Sequence, residues 1–235
     1  MNLLTVEGIS KSFGDKKVFE NITFGIDEGD RTGLIGINGT GKSTLLKIVA
    51  GRETHDSGQG IRKNGLRVGY LPQTPEYDPD DTVLGQVFNC DNPTIQLIKE
   101  YEQAVREAEL TGSPESQKNL YALNDRMDAA NAWNLESDAK SILTKLNITD
   151  YYKKAGTLSG GQLKRMALAR ALITPVDLLI LDEPTNHIDN ESVEWLEKYL
   201  AKYKGALLMV THDRYFLDRI VNKTLELDNA RLFSY

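Results

Sequence analysis

Three short segments carry side chains whose types and spacing could handle a polyphosphate. Gly36-Ile37-Asn38-Gly39-Thr40-Gly41-Lys42-Ser43 has the spacing of a phosphate-binding loop, and it lies between an apolar run and a helical pattern, where such a loop must lie. Glycines let the backbone curl its N–H groups inward on a phosphate. Lys42 can reach the outer phosphates, the Ser43 hydroxyl can ligate Mg²⁺ with Thr44 beside it, and a helix N-terminus at this point favours an anion. Second, the apolar run Leu178-Leu179-Ile180-Leu181 delivers Asp182-Glu183 to a strand's carboxyl end, the edge of a parallel sheet where ligands bind. Asp182 can hold Mg²⁺, directly or through water, and Glu183 can polarise an attacking water, since phosphoryl transfer needs mostly positioning and charge compensation. Taken alone, Asp-Glu followed by Pro184 is equally a way to leave a strand. Third, Leu158-Ser159-Gly160-Gly161-Gln162 opens an amphipathic helix carrying Leu163, Met166, Ala167, Ala169 and Leu172. The free amides at its start, near Gln162, form an anion site, or else Ser159 is an ordinary N-cap among glycines. A second anion site makes sense beside a phosphate loop if it caps a ligand held by a partner.

The elements that must position these residues can be read from periodicity. Residues 3–9, 18–26 and 31–37 are short, rich in Val, Ile, Thr and Phe, and separated by Gly14-Asp15 and Glu28-Gly29-Asp30, so they read as strands. A helix over 42–50 is stopped by Gly51, and a strand over 66–71 ends at Pro72. From 82 to 146 the apolar residues recur at helical spacing, among them Leu97, Ile98, Tyr101, Ala104 and Val105, then Leu120, Leu123 and Met127, then Ala139, Ile142, Leu143 and Leu146. Thr111-Gly112-Ser113-Pro114 breaks this block into a helical hairpin. Alternation then resumes: helix 162–172, strand 178–181, helix 191–203, strand 206–211, a helix from 213 and two short closing strands. Such alternation predicts a parallel sheet with helices on its faces, interrupted by an all-helical insertion.

Composition narrows the class. With 235 residues and 40% hydrophobic content the chain can bury a full core. Its 28 basic and 34 acidic residues leave a formal charge of -6, so no global basic field advertises nucleic acid or an anionic membrane. The inserted block is no more basic: Lys99, Arg106, Lys118 and Arg126 are outnumbered by Glu100, Glu102, Glu107, Glu109, Glu115, Asp125 and Asp128. Tyr101 and Trp133 fall on or beside apolar stripes and read as packing residues rather than base stackers. One cysteine, Cys90, permits no internal disulfide and reads as a small, partly buried neutral residue; the amino terminus lacks a secretory layout, so a reducing cytoplasm is expected. No apolar run reaches the roughly 20 residues of a membrane-spanning helix.

Together the three segments resemble the ATP-binding cassette (ABC) ATPase superfamily. The resemblance implies an α/β P-loop fold with a mostly parallel core sheet, N-terminal antiparallel strands and an inserted helical subdomain: residues 1–73 and 158–235 as the core, 74–157 as the insertion. It implies ATP and Mg²⁺ as ligands. Position by position, Phe13 stands where the family stacks an aromatic on adenine, and Gln73 matches the glutamine that senses Mg²⁺ and the attacking water. His212 matches the switch histidine on the γ-phosphate, and Asp189 the aspartate that couples two sites across a dimer. Catalytic roles thus fall to Glu183, His212 and Gln73, and metal ligation to Ser43, Gln73 and Asp182. Nucleotide binding falls to Phe13, to 36–44, and to Ser159, Gly161, Gln162 and Asp189, the last four acting on a nucleotide held by a partner domain.

Pro184-Thr185-Asn186-His187-Ile188-Asp189 and Asp213-Arg214-Tyr215-Phe216-Leu217-Asp218 are similar to ABC-F proteins, whereas transporter ATPases usually carry Ser-Ala at the positions of Asn186 and His187. The long interval from Gln73 to Leu158 agrees, since ABC-F proteins insert a helical arm there, and Ala132-Trp133-Asn134-Leu135-Glu136 is similar to the first ABC domain of the Uup-like branch. Such proteins carry two ABC domains in one polypeptide, and several act on the ribosome. The resemblance therefore implies the amino-terminal half of a longer, ribosome-associated protein, whose ATPase is weak in isolation and needs a second ABC domain or a second copy of this one. A transporter ATP-binding subunit and a DNA-transaction module are the competing readings.

Overall fold

In a computed structural model, residues 1–89, 93–130 and 132–235 are described. Cys90 lies outside them. The chain divides into two compact units, residues 1–75 with 175–235, and residues 76–174.

The first unit opens with a long antiparallel hairpin, β1 (Asn2–Phe13) and β2 (Lys16–Asp27), turning at Gly14, whose φ is 57°. Alternation puts Leu4 and Val6 of β1 and Ile22, Phe24 and Ile26 of β2 into the core, and a register shift between Val6 and Ile9, where Gly8 takes φ 60°, brings Ile9 to the same side. A strand absent from the sequence reading, β4 (Ser57–Arg62), pairs antiparallel with β1 on the other side, giving the order β2-β1-β4. Its sequence, Ser-Gly-Gln-Gly-Ile-Arg, is exposed at every position and has no apolar alternation to detect. Main-chain pairing carries it, and a Cβ on Gly58 (φ +87°) would sit 2.4 Å from the Gly8 carbonyl oxygen.

The second sheet has the order β5-β6-β7-β3-β8-β9. Its strands are β3 (Arg31–Ile35), β5 (Val68–Leu71), β6 (Leu178–Asp182), β7 (Ala206–Val210), β8 (Lys223–Asp228) and β9 (Arg231–Ser234), parallel except for the β8–β9 pair. Leu-Leu-Ile-Leu of β6 and Ala-Leu-Leu-Met-Val of β7 are buried throughout, as continuous apolar runs covered on both faces should be. Helices α1 (Lys42–Ala50), α7 (Asn190–Ala201) and α8 (Arg214–Ile220) complete this unit. The first closes on Gly51, a left-handed C-cap whose amide reaches Ile48 O and Lys47 O. The strand expected over 31–37 stops at Ile35, because Gly36 turns out of it at φ 151°.

The second unit is helical: α2 (Val83–Val87), α3 (Pro93–Thr111), α4 (Pro114–Ala129), α5 (Trp133–Lys145) and α6 (Gly160–Ile173). The hairpin between α3 and α4 turns at Gly112 (φ 58°), and Ser113 caps α4, its Oγ accepting from Ser116 N at 3.1 Å. Tyr101 and Trp133 meet edge to face, ring centroids 4.9 Å apart, as packing residues do. Helix α6, with which the sequence alternation resumes, packs on α2 and α5 and is part of this helical unit.

Candidate functional site

In the first unit the carboxyl ends of the neighbouring strands β3, β7 and β6 lie side by side, and each is followed by residues singled out in the sequence. After β3 comes the glycine loop. A Cβ on Gly36 would lie 2.4 Å from Leu227 O, and one on Gly41 (φ +102°) 2.2 Å from Val18 Cγ1, so both positions demand glycine for space as well as conformation. Gly39 (φ +83°) faces open space, a turn glycine rather than a packing one. Lys42 begins α1 but folds back over the loop, its Nζ donating to Gly36 O at 2.7 Å and Ile37 O at 3.0 Å. Burial pulls this ammonium below the usual lysine range, while the Glu183 and Asp182 carboxylates hold it up. A cation poised between partial burial and two anions is suited to an incoming phosphate.

Asp182 ends β6, almost fully buried, and Glu183 follows at 5% exposure. Glu183 adopts φ 54°, in the left-handed region that a glutamate visits at a cost of ~1–3 kcal/mol. Its main-chain N–H donates to Val210 O at 2.8 Å, which pins the turn to the neighbouring strand. The loop after β7 closes on the carboxylate from above: His212 N donates to Glu183 Oε2 at 3.3 Å, and His212 Nε2 lies 3.3 Å from Oε1. The Thr185 and Thr211 hydroxyls, 2.9 Å apart, tie the two strand ends together one step further out. The imidazole itself is largely exposed, so it can turn toward a ligand while its backbone holds the acid.

These groups face a cleft of about 480 Å³ that also takes in Phe13, Asn38, Ser43, Thr44 and Gln73. Phe13 stands at the rim, 54% exposed, a large apolar ring with a free face. The oxygen donors of Ser43, Asp182 and Gln73 are hard ligands with a single carboxylate among them. That set suits Mg²⁺, which keeps waters and takes the rest of its shell from phosphate oxygens. Ile37 is exposed and lines a separate cavity beside β3 and α8. Thr40 turns inward on the loop, its hydroxyl donating to Ile37 O at 2.9 Å. Lys16 and Val18, which the sequence reading passed over, line the cleft as well. The signal for Lys16 was available: across a tight turn at Gly14-Asp15 it is the register partner of Phe13.

Asp189 caps α7, accepting from Ser192 N and Ser192 Oγ, each at 3.0 Å. In the second unit, Ser159 caps α6 in a reciprocal capping box: Oγ accepts from Gln162 N at 3.3 Å, and Ser159 N donates to Gln162 Oε1 at 3.0 Å. The N-cap alternative for Ser159 is therefore realised. The box uses two of the four amides that a helix start leaves over, those of Ser159 and Gln162, so the amides that could still receive an anion at this end are those of Gly160 and Gly161.

A family model described as ABC transporter matches residues 19–186, most of the chain, a span that takes in the glycine loop, Gln73, Ser159–Gln162 and Asp182-Glu183 but not Phe13, Asp189 or His212. The chain belongs to this family of ATP-binding cassettes. It is an ATP-binding ABC domain with ABC-F-like relatives, and the family in general hydrolyses ATP. Among its relatives, the ABC transporter ATP-binding protein YfmR of Bacillus subtilis is 48% identical over 238 residues, covering 100% of this chain and 38% of that protein. The energy-dependent translational throttle protein EttA of Mycobacterium tuberculosis is 36% identical over 233 residues, covering 99% of this chain and 42% of that protein. This ABC domain thus spans about two fifths of the length of these relatives. Among solved structures, a dimeric, post-hydrolysis ATP-binding cassette, MJ0796 with ADP and Pi, superposes with a TM-score of 0.71 at 21% identity, covering 99% of this chain and 98% of that one, a likeness of fold. No helix among the described residues is long and apolar enough to cross a membrane.

Proposed function

We propose that this domain binds ATP with Mg²⁺ in the cleft at the ends of β3, β6 and β7, and hydrolyses it as the first ABC domain of an ABC-F type, ribosome-associated translation factor. The observation that carries the hydrolytic reading is Glu183: buried, held in a left-handed conformation, and gripped from the loop of His212. A carboxylate fixed at such a cost does more than leave a strand. The roles follow from position. Phe13 offers a face to the adenine; the amides of 38–44 and the Lys42 ammonium hold the phosphates; Ser43, Asp182 and Gln73 hold the metal. The metal, when bound, neutralises charge on the outer phosphates and fixes their orientation. Glu183 orients the attacking water and takes its proton, and His212, ring exposed, bonds the terminal phosphate.

Asp189 and the amides of Gly160 and Gly161, with Ser159 and Gln162 shaping that helix start, would act across a pairing of two ABC domains, either in one longer polypeptide or in a homodimer of this one. Turnover by the isolated domain is then weak and rises with its concentration. The similarity to EttA, a protein named for a role in translation, supports the ribosomal part, as do Asn186-His187 and the long helical insertion.

The test is sucrose-gradient sedimentation in ATP-containing lysate of the longer protein carrying this domain, with Glu183→Gln and the matching change in its second domain. Comigration with ribosomes is expected. Sedimentation with membranes would replace the ribosomal reading with the transporter one, and protein at the top of the gradient would remove the ribosome from the proposal.

A further inference from the structure

The adenine platform has a cation behind it. Lys11, two residues before Phe13 on β1, is only 6% exposed, yet its Nζ lies 5.0 Å from the centroid of the Phe13 ring. The ammonium is held by Glu53 Oε1 at 2.9 Å, with Asp56 Oδ1 at 3.9 Å. Both acids sit in the segment between α1 and β4, and that segment is sewn to the end of β1 through the main chain: Ser12 N donates to Asp56 Oδ2 at 2.7 Å, and Asp56 N to Ser10 O at 2.8 Å. A buried lysine with an acid partner is costly to build and could be replaced by an apolar side chain of similar volume with little loss of stability. Its presence beside an exposed ring calls for a reason.

We infer that Lys11 is a positioning residue for the nucleotide base: its ammonium occupies one face of Phe13 and leaves the other face, at the rim of the cleft, as the one on which adenine stacks. This rests on the reading of Phe13 as the adenine platform. Two physical effects act together. The cation is attracted to the negative face of the ring, which restrains the rotation of an otherwise exposed side chain, so less freedom is lost when a base arrives. The same cation draws π-density away from the face the base meets, which favours stacking of an electron-rich purine. Glu53 and Asp56 act one step back, by holding the ammonium over the ring; through Glu53, which also lines a cavity between the first sheet and α1, the loop after α1 is joined to the base site.

The test is a double-mutant cycle on the 235-residue chain, read as the Kd for Mg-ADP by equilibrium titration so that turnover does not intrude. Lys11→Met keeps the stem and removes the charge; it should weaken ADP binding about three- to ten-fold, the size of a partly desolvated cation–π contact. Lys11→Arg should restore most of it. In a Phe13→Ala background, where the ring is gone, Lys11→Met should change the Kd by less than about two-fold. An equal loss in both backgrounds would mean that Lys11 acts through the fold and not through the ring, and would overturn the inference. So would an unchanged Kd for Lys11→Met beside a weakened Phe13→Ala. If Phe13→Ala alone binds ADP as tightly as the parent, the platform reading itself falls, a separate result from failure of the lysine's role.

Discussion

Replacing Glu183 by glutamine tests the hydrolytic reading most directly, because the structure says what the change removes and what it spares. Glutamine has the same shape and keeps a carbonyl oxygen to accept from His212 N, the 3.3 Å contact that orients the loop after β7. The left-handed backbone at φ 54° is no harder for glutamine than for glutamate, so the fold is spared. What disappears is the proton acceptor. A positioned general base contributes about 10²–10⁴ in rate, and with the geometry retained we expect a loss of about 10²–10³ in kcat, or about 2.7–4 kcal/mol at 1.36 kcal/mol per decade. Binding should move the other way. Glu183 is one of two carboxylates that raise the Lys42 pKa, but it also repels an incoming polyphosphate across the same cleft. Removing its charge lowers that repulsion, so the Kd for Mg-ATP should stay the same or fall. The assay is phosphate release at saturating ATP together with equilibrium titration of ATP on the same preparation. More than half of the parent rate, or a Kd weakened more than about ten-fold, would refute the assignment of Glu183 as the base; 10-fold corresponds to about 1.4 kcal/mol, more than loss of a repulsion can explain.

The remaining predictions concern the scaffold. Gly36→Ala puts a Cβ 2.4 Å from a backbone oxygen at φ 151°, so the melting temperature should fall by about 5–10 °C, at ~2–3 kcal/mol of strain and ~2–4 °C per kcal/mol for a chain of this size; an unchanged melting curve would contradict the geometry. Burial, with the nearby Asp182 charge, pushes the Tyr70 hydroxyl up to about 12, from an ordinary value near 10. The folded state thus favours the neutral phenol, and this contribution is fully present below about pH 10 and is lost as pH rises toward about 12. Because the Tyr70 hydroxyl is buried and makes no hydrogen bond among the described residues, Tyr70→Phe should cost nothing at pH 7 and should flatten the alkaline decline, read by chemical denaturation across pH 8–12. Ser159→Ala removes the cap of α6 and should cost about 1 kcal/mol, whereas Ser159→Asp keeps a capping oxygen and the stability but places a carboxylate beside the amides of Gly160 and Gly161. If those amides serve a partner's phosphate, only the aspartate variant combines a parental melting temperature with loss of the concentration-dependent ATPase.

Much of the site was legible because its residues sit at strand ends, where type and spacing constrain geometry. The glycine loop after β3 and the acid pair closing the apolar run of β6 can be read from residue type and spacing, whereas His212, two residues beyond β7, is singled out by the family resemblance; alternation predicts a parallel sheet, and the strand order that makes β6, β7 and β3 neighbours comes from the structure. The turn at 111–114 is legible for the same kind of reason, since Gly112 and Ser113-Pro114 are a helix stop and a helix start with mechanisms of their own. What stayed hidden depends on partners distant in sequence. Strand β4 exists because β1 offers an edge, not because Ser-Gly-Gln-Gly-Ile-Arg favours extension. Ser159 reads the same whether it caps its own helix or a neighbour's phosphate, and it took the Gln162 side chain folding back to show the cap. The conformation of Glu183 was the least accessible. Left-handed backbone is announced in sequence by glycine or asparagine, and a glutamate there is an exception enforced by the Val210 carbonyl and the His212 amide on the adjoining strand end. That exception separates a carboxylate that merely ends a strand from one held in a fixed place at the cleft, a difference that Asp-Glu-Pro alone does not carry.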